Sequence, residues 1–171
     1  MTVFTIDYSL FTINFPMPGP LEVSFNSPQC GWMSIGFADG TSEFHTTTAH
    51  APHEGALAEL MTILSSLADP TTAQNEYTLE WNRDPEAFDI RFLRNGEKLT
   101  LEIYQYPTET RAAEDRVLVF SHVGTVGVIV NAFAATFEQL YADRETDEFD
   151  FNWRQPFPLG EYRSFTAAIN K

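Results

Sequence analysis

Apolar and polar residues alternate along "FDIRFLRNGEKLTLEIYQY", from Phe88 to Tyr106. Phe88, Ile90 and Phe92 recur at every second position, and so do Leu99, Leu101 and Ile103. A period of two lines up one face of a strand. Between the two runs stands Asn95-Gly96, a hairpin signal because a type I′ turn needs positive φ at both central positions. A turn centred there predicts Phe92 opposite Leu99, Ile90 opposite Leu101 and Phe88 opposite Ile103. The other face carries Asp89, Arg91, Lys98, Thr100, Glu102 and Tyr104. In this pairing Asp89 faces Glu102, an adverse contact that Arg91 relieves from the diagonal.

A second hairpin is expected in "WMSIGFADGTSEFHT" around Asp39-Gly40. It sets Ile35 opposite Phe44 and Phe37 opposite Ser42. Met33, Ile35, Phe37 and Phe44 then share one face, and Glu43 and His45 point to the other. Further strands are expected over residues 1–15, in "LEVSF" and in "RVLVFSH" at 116–122, with "PMPGP" and "SPQCG" as breaks.

Three segments carry the helical period instead. The first runs from about Pro52 to Leu67, with Leu57, Leu60, Met61, Leu64 and Leu67 as its apolar stripe. The second runs from about Thr125 to Tyr141 and turns Val126, Ile129, Val130, Phe133, Phe137, Leu140 and Tyr141 inward. Gly124 and Gly127 at its start do not make a phosphate loop, because no Gly-Lys-Ser follows. The third begins near Leu159 and buries Tyr162, Phe165 and Ile169. Between the last two lies the acidic, aromatic stretch "DRETDEFDFNWRQPFP". Strands joined by hairpins imply an antiparallel sheet. The expected fold is a single α+β domain over 1–171, an antiparallel sheet of six or seven strands with two or three helices mainly on one face.

Composition narrows the function. Fifteen Phe and 43% hydrophobic residues suffice for a core without metal or disulfide support. The lone Cys30 cannot form an internal disulfide, and the start of the chain lacks a secretory pattern, so a reducing, cytoplasmic setting is expected. No apolar run approaches the ~20 residues of a membrane helix. The formal net charge is -14, and no Lys or Arg precedes Arg83. Such a field repels nucleic acid and anionic membranes and draws cationic partners.

The stretch "WNRDPEAFDIRFLRNGEKLTLEIYQYP" resembles a group of small uncharacterised bacterial proteins, in which a strand ending in Trp, here Trp81, precedes an aromatic hairpin, here Phe88 to Tyr106. The resemblance covers residues 32–142 and carries over no functional residue. In size, charge and class the chain is also similar to immunity proteins of bacterial toxin systems.

"HTTTAHAPHEGA" holds His45, His50 and His53 beside Glu54. Two histidines three apart can share a helix face and a metal. However, the zinc pattern His-Glu-x-x-His is absent. Ala51 as cap, Pro52 at the first helical position and Glu54 in the first turn are also ordinary helix-start chemistry. The structural account is therefore favoured, and no metal or cofactor is expected. Nothing local supports Cys30 as a nucleophile or His122 as its base. The cluster Asp143, Glu145, Asp147, Glu148 and Asp150, with Trp153 nearby, is the better candidate: charge beside aromatic anchors is the composition of a binding hot spot. A calcium loop would need a glycine that "DRETDEFD" lacks.

These features point to a protein-binding protein with a basic partner, its concrete form an immunity protein that neutralises a basic toxin. An acidic secretion chaperone or adaptor is the alternative, and a metal-dependent enzyme at the histidines is a third class.

Overall fold

The computed structural model describes residues 19–170 except Pro52. The strand expected over 1–15 lies outside the described residues. Among the described residues seven strands form two antiparallel sheets, not one. The first sheet has the order β1 (Glu22–Phe25), β2 (Trp32–Ala38) and β3 (Glu43–Ala49). The second is a meander of β4 (Glu76–Asn82), β5 (Ala87–Asn95), β6 (Lys98–Tyr106) and β7 (Val117–Thr125). The division falls where a hairpin connection is missing. Helix α1 (Ala56–Ala68) separates β3 from β4, and those strands are not hydrogen-bonded neighbours.

Both expected hairpins form, each with its register displaced by two residues. In β5–β6, Asn95 pairs with Lys98, so the turn residues are Gly96 and Glu97, with φ +61° at Gly96. Ile90 then faces Ile103 and Phe92 faces Leu101. The displacement also removes the adverse Asp89–Glu102 pair. Arg91 stands directly opposite Glu102, 3.5 Å away, and Asp89 pairs with Tyr104.

In β2–β3, Phe37 faces Phe44 and Ile35 faces Thr46. Here the side chain of Asp39 lengthens the loop. Its Oδ1 accepts the backbone N–H of Thr41 and of Ser42, each at 2.9 Å, and the Thr41 hydroxyl at 2.7 Å. Asp side chains close turns in this way. A slip of two leaves every side chain on its expected face, whereas a slip of one would have inverted both. Met33, Ile35, Phe37, Phe88, Ile90, Phe92, Leu99, Leu101 and Ile103 are accordingly all buried.

Helix α1 begins four residues after Pro52, with Gly55 at its N-cap and no side-chain cap bond. Glu54 therefore precedes the helix, and the acid of its first turn is Glu59. The five expected stripe residues are buried. The second expected helix is two helices, α2 (Val126–Ala132) and α3 (Ala134–Asp143), interrupted at Phe133. Thr125 caps α2, its hydroxyl accepting the N–H of Val128. The aromatic part of the stretch after α3 forms a short helix, α4 (Phe149–Trp153), and α5 (Leu159–Ile169) follows. In α5 only Phe165 is fully buried; Tyr162 and Ile169 pack against the core from its margin.

One hydrophobic cluster joins both sheets and the helices. Phe25 marks the meeting point. Its ring packs edge-on against Phe37 of the first sheet, Trp81 of the second, and Phe133 and Phe137 beside α2 and in α3, at centroid distances of 5.9–6.4 Å. Edge-to-face geometry is the favourable one for aromatic pairs, each contributing about 0.5–1.5 kcal/mol beyond burial. No helix among the described residues is long and apolar enough to cross a membrane.

Candidate functional site

The acidic stretch after α3 is a series of tight turns. The backbone N–H of Asp147 donates to Asp143 O at 2.8 Å, and that of Phe149 to Arg144 O at 2.8 Å. Glu148 takes a left-handed φ of +49° and turns the chain into α4, and Arg154 takes one of +64° and turns it out. Within α4, Phe149 and Trp153 are four apart and so share a face. That face is buried: Phe149 is 1% exposed and Trp153 2%. Phe149 meets the ring of Phe157 at 5.3 Å, and Phe157 meets Tyr141 at 5.8 Å. Trp153 is therefore part of the core, a placement that the sequence alone leaves open for the aromatics of 149–157.

Phe151 lies on the opposite face of the same helix and is 79% exposed. With Arg144, Glu145, Glu148, Phe149 and Asp150 it bounds an open hollow of about 430 Å³. Several bonds hold these groups in place. Asp150 Oδ1 accepts the N–H of Phe157 at 3.1 Å, and Asn152 Nδ2 donates to Asp147 O at 2.9 Å. The Ser27 hydroxyl donates to the Asp147 carboxylate, tying the segment to the turn after β1. Arg144 pairs with Glu145 at 3.0 Å and lies over the Tyr141 ring. Of the expected contact residues, Glu145, Asp147, Glu148 and Asp150 are exposed and Asp143 is half-buried. Arg144 already pairs with Glu145, so Glu148 and Asp150 leave the hollow net negative beside one bare aromatic ring, and a cationic group there can gain from the charge and from the face of the ring.

The three clustered histidines have separate surroundings. His45 is exposed on β3, with Nε2 3.8 Å from Glu43. The ring of His50 meets Trp153 at 6.2 Å, and its Nδ1 is buried without a hydrogen-bond partner. His53 Nε2 lies 3.0 Å from Glu59. Among the described residues no group of three or more His, Cys, Asp and Glu is placed to hold a metal. Cys30 is exposed in a left-handed turn, and its N–H donates to Asn152 Oδ1 at 3.4 Å.

His122 has a partner that the sequence conceals. Its Nδ1 lies 3.1 Å from Asp39 Oδ2, and both side chains are buried. Burial pushes the Asp39 carboxyl up. Hydrogen bonds from the Thr41 hydroxyl, from the N–H groups of Thr41 and Ser42, and from His122 outweigh that and hold it well below the usual carboxylate range. Arg111 is the other hidden organiser: its guanidinium reaches Asp89, Asn82 and Glu80 together. No local pattern marks either contact, since the partners lie far apart in the chain.

No family model matches the chain, and no curated protein or solved structure matches it.

Proposed function

We propose that this chain is a protein-binding protein whose acidic surface at α4 receives a cationic partner, with neutralisation of a basic toxin, the task of an immunity protein, as its concrete form. The observation that carries the reading is Phe151. Its neighbours Phe149 and Trp153 are locked in the core, while its own ring stands in solvent beside Glu145, Glu148 and Asp150. An exposed aromatic on a well-supported turn loses little conformational entropy on contact, which favours a pre-organised interface. The surrounding negative field speeds encounter with a basic protein and repels nucleic acid.

The test is capture of a partner by the tagged chain at low salt, followed by association kinetics over a range of ionic strength. Fast binding that slows as salt rises supports the reading. A specific observation favours the chaperone or adaptor as the second reading: Val117, Leu118 and Val123 are exposed on β7, one of the two edge strands of the larger sheet. Edge strands add partner segments through backbone pairing. Binding of that kind would be insensitive to salt and would respond to changes on β7 instead of α4. The histidine positions lend no support to a metal-dependent enzyme.

A further inference from the structure

The outward face of the smaller sheet carries chemistry opposite to that of α4. Pairing places Ser24 of β1, Gly36 of β2 and His45 of β3 side by side. Gly36 leaves a gap between its neighbours. A Cβ at this position would lie 2.6 Å from His45 Nδ1 and 2.8 Å from Ser24 Oγ. Two polar atoms thus converge over a glycine where any side chain would intrude. Around them Asn26, Ser34, Thr47 and Arg83 complete the polar wall of a hollow of about 310 Å³.

Among the described residues no carboxylate lines this hollow. That is unexpected in a chain of net charge -14, whose hollow at α4 is bounded by three acids. Arg83, the first basic residue of the chain, stands here. Its contact with Glu86 is 4.0 Å, beyond hydrogen-bond length, so its donors are not saturated by that acid. Glu43 lies 3.8 Å from the other ring nitrogen of His45.

We infer that this hollow binds an oxyanion group, a phosphate or a carboxylate. The guanidinium of Arg83 offers parallel N–H donors matched to such a group. The amide of Asn26 and the hydroxyls of Ser24, Ser34 and Thr47 can donate to its remaining oxygens. The site uses none of the residues of the α4 surface, so either can fail without the other.

The experiment titrates the isotope-labelled full chain with inorganic phosphate and, separately, with acetate, following the Arg83 Nε–H and His45 ring resonances by NMR. Chloride at matched ionic strength controls for screening. Saturable shifts at both residues are expected with at least one of the two anions, and which one responds identifies the source of the group. Arg83→Gln should weaken that binding about tenfold or more, the loss of a charge-assisted bond. Gly36→Ala should abolish it by filling the gap. Arg83 is partly exposed, so its variant keeps the test valid even if Gly36→Ala folds poorly. Shifts no larger than those with chloride, or unchanged affinity in Arg83→Gln, would overturn the assignment.

Discussion

Nδ1 of His122, on β7, lies 3.1 Å from Oδ2 of Asp39, in the β2–β3 loop, and this buried contact ties the larger sheet to the smaller one. The same Asp39 carboxylate closes its own loop through Thr41 and Ser42. Its folded-state pKa is depressed, so its stabilisation is present above the ordinary carboxylate pKa of 3.8 and is lost as pH falls below that value. Urea unfolding at a series of acidic pH values should show stability falling from about pH 4 downward. Asp39→Asn should flatten that limb. His122→Leu should cost about 1.5–3 kcal/mol at neutral pH, the loss of a hydrogen bond to a buried charge. An unchanged acid limb in Asp39→Asn would count against this account.

Arg111 resolves a conflict in the larger sheet. Glu80 and Asp89 are directly opposite across β4–β5, which like charges disfavour. The guanidinium lies 2.9 Å from Asp89 and 3.5 Å from Glu80, and Nη2 donates to Asn82 Oδ1 at 2.8 Å. Arg111→Ala should cost about 3–5 kcal/mol, because it leaves a buried carboxylate without its counter-charge. The Tyr106 hydroxyl donates to the same Asp89 at 2.9 Å. Burial first, then the bond to Asp89, push the phenol up from its ordinary value. A raised folded-state pKa stabilises below the unfolded value, near 10, and that contribution is lost as pH climbs through the folded value. Tyr106→Phe should therefore flatten the alkaline limb of the stability profile, and equal alkaline slopes in both proteins would contradict the assignment.

The observed register predicts a sharp contrast within one hairpin. Ile90 is fully buried opposite Ile103, so Ile90→Ala should cost about 2–5 kcal/mol. Thr100 lies on the other face, half-buried opposite Leu93, and Thr100→Ala should cost far less. Comparable losses at the two positions would mean that both faces of the sheet are covered.

The faces of these strands were legible in the sequence because alternation alone sets them. Their pairing was not, since Asn95-Gly96 and Asp39-Gly40 permit more than one closure. In one turn Gly96 supplies the positive φ. In the other the Asp39 side chain draws two backbone N–H groups into a longer loop. The split into two sheets was hidden for a different reason. Periodicity describes a strand's faces, not its lateral neighbours, and β3 and β4 are connected through α1, not through a turn. The interruption at Phe133 has no Gly or Pro to announce it. At the candidate site, the acids were visible as a run. Which aromatic stands in solvent was not, because α4 is too short to show a helical period: Phe149 and Trp153 face inward and Phe151 outward.

That inward and outward arrangement separates stability from binding. Trp153→Ala should lower folding stability by about 3–5 kcal/mol, the cost of removing a large buried aromatic. Phe151→Ala should leave folding stability within about 0.5 kcal/mol, as expected of an exposed position, while weakening capture of a partner. Thermal or urea unfolding of the two variants checks the first half. A large loss of stability in Phe151→Ala would remove this ring from consideration as a contact residue.

The most direct test of the protein-binding account is the association rate of the captured partner with the chain and with the double variant Asp147→Lys, Glu148→Lys, measured from low to high salt alongside folding stability. The account predicts fast association at low salt that slows as salt rises, and a markedly lower rate for the variant. The stability of the variant should change only by the loss of the Ser27–Asp147 contact. Tight binding that ignores both salt and the charge reversals would contradict it and would leave the apolar edge at β7 as the surface that binds.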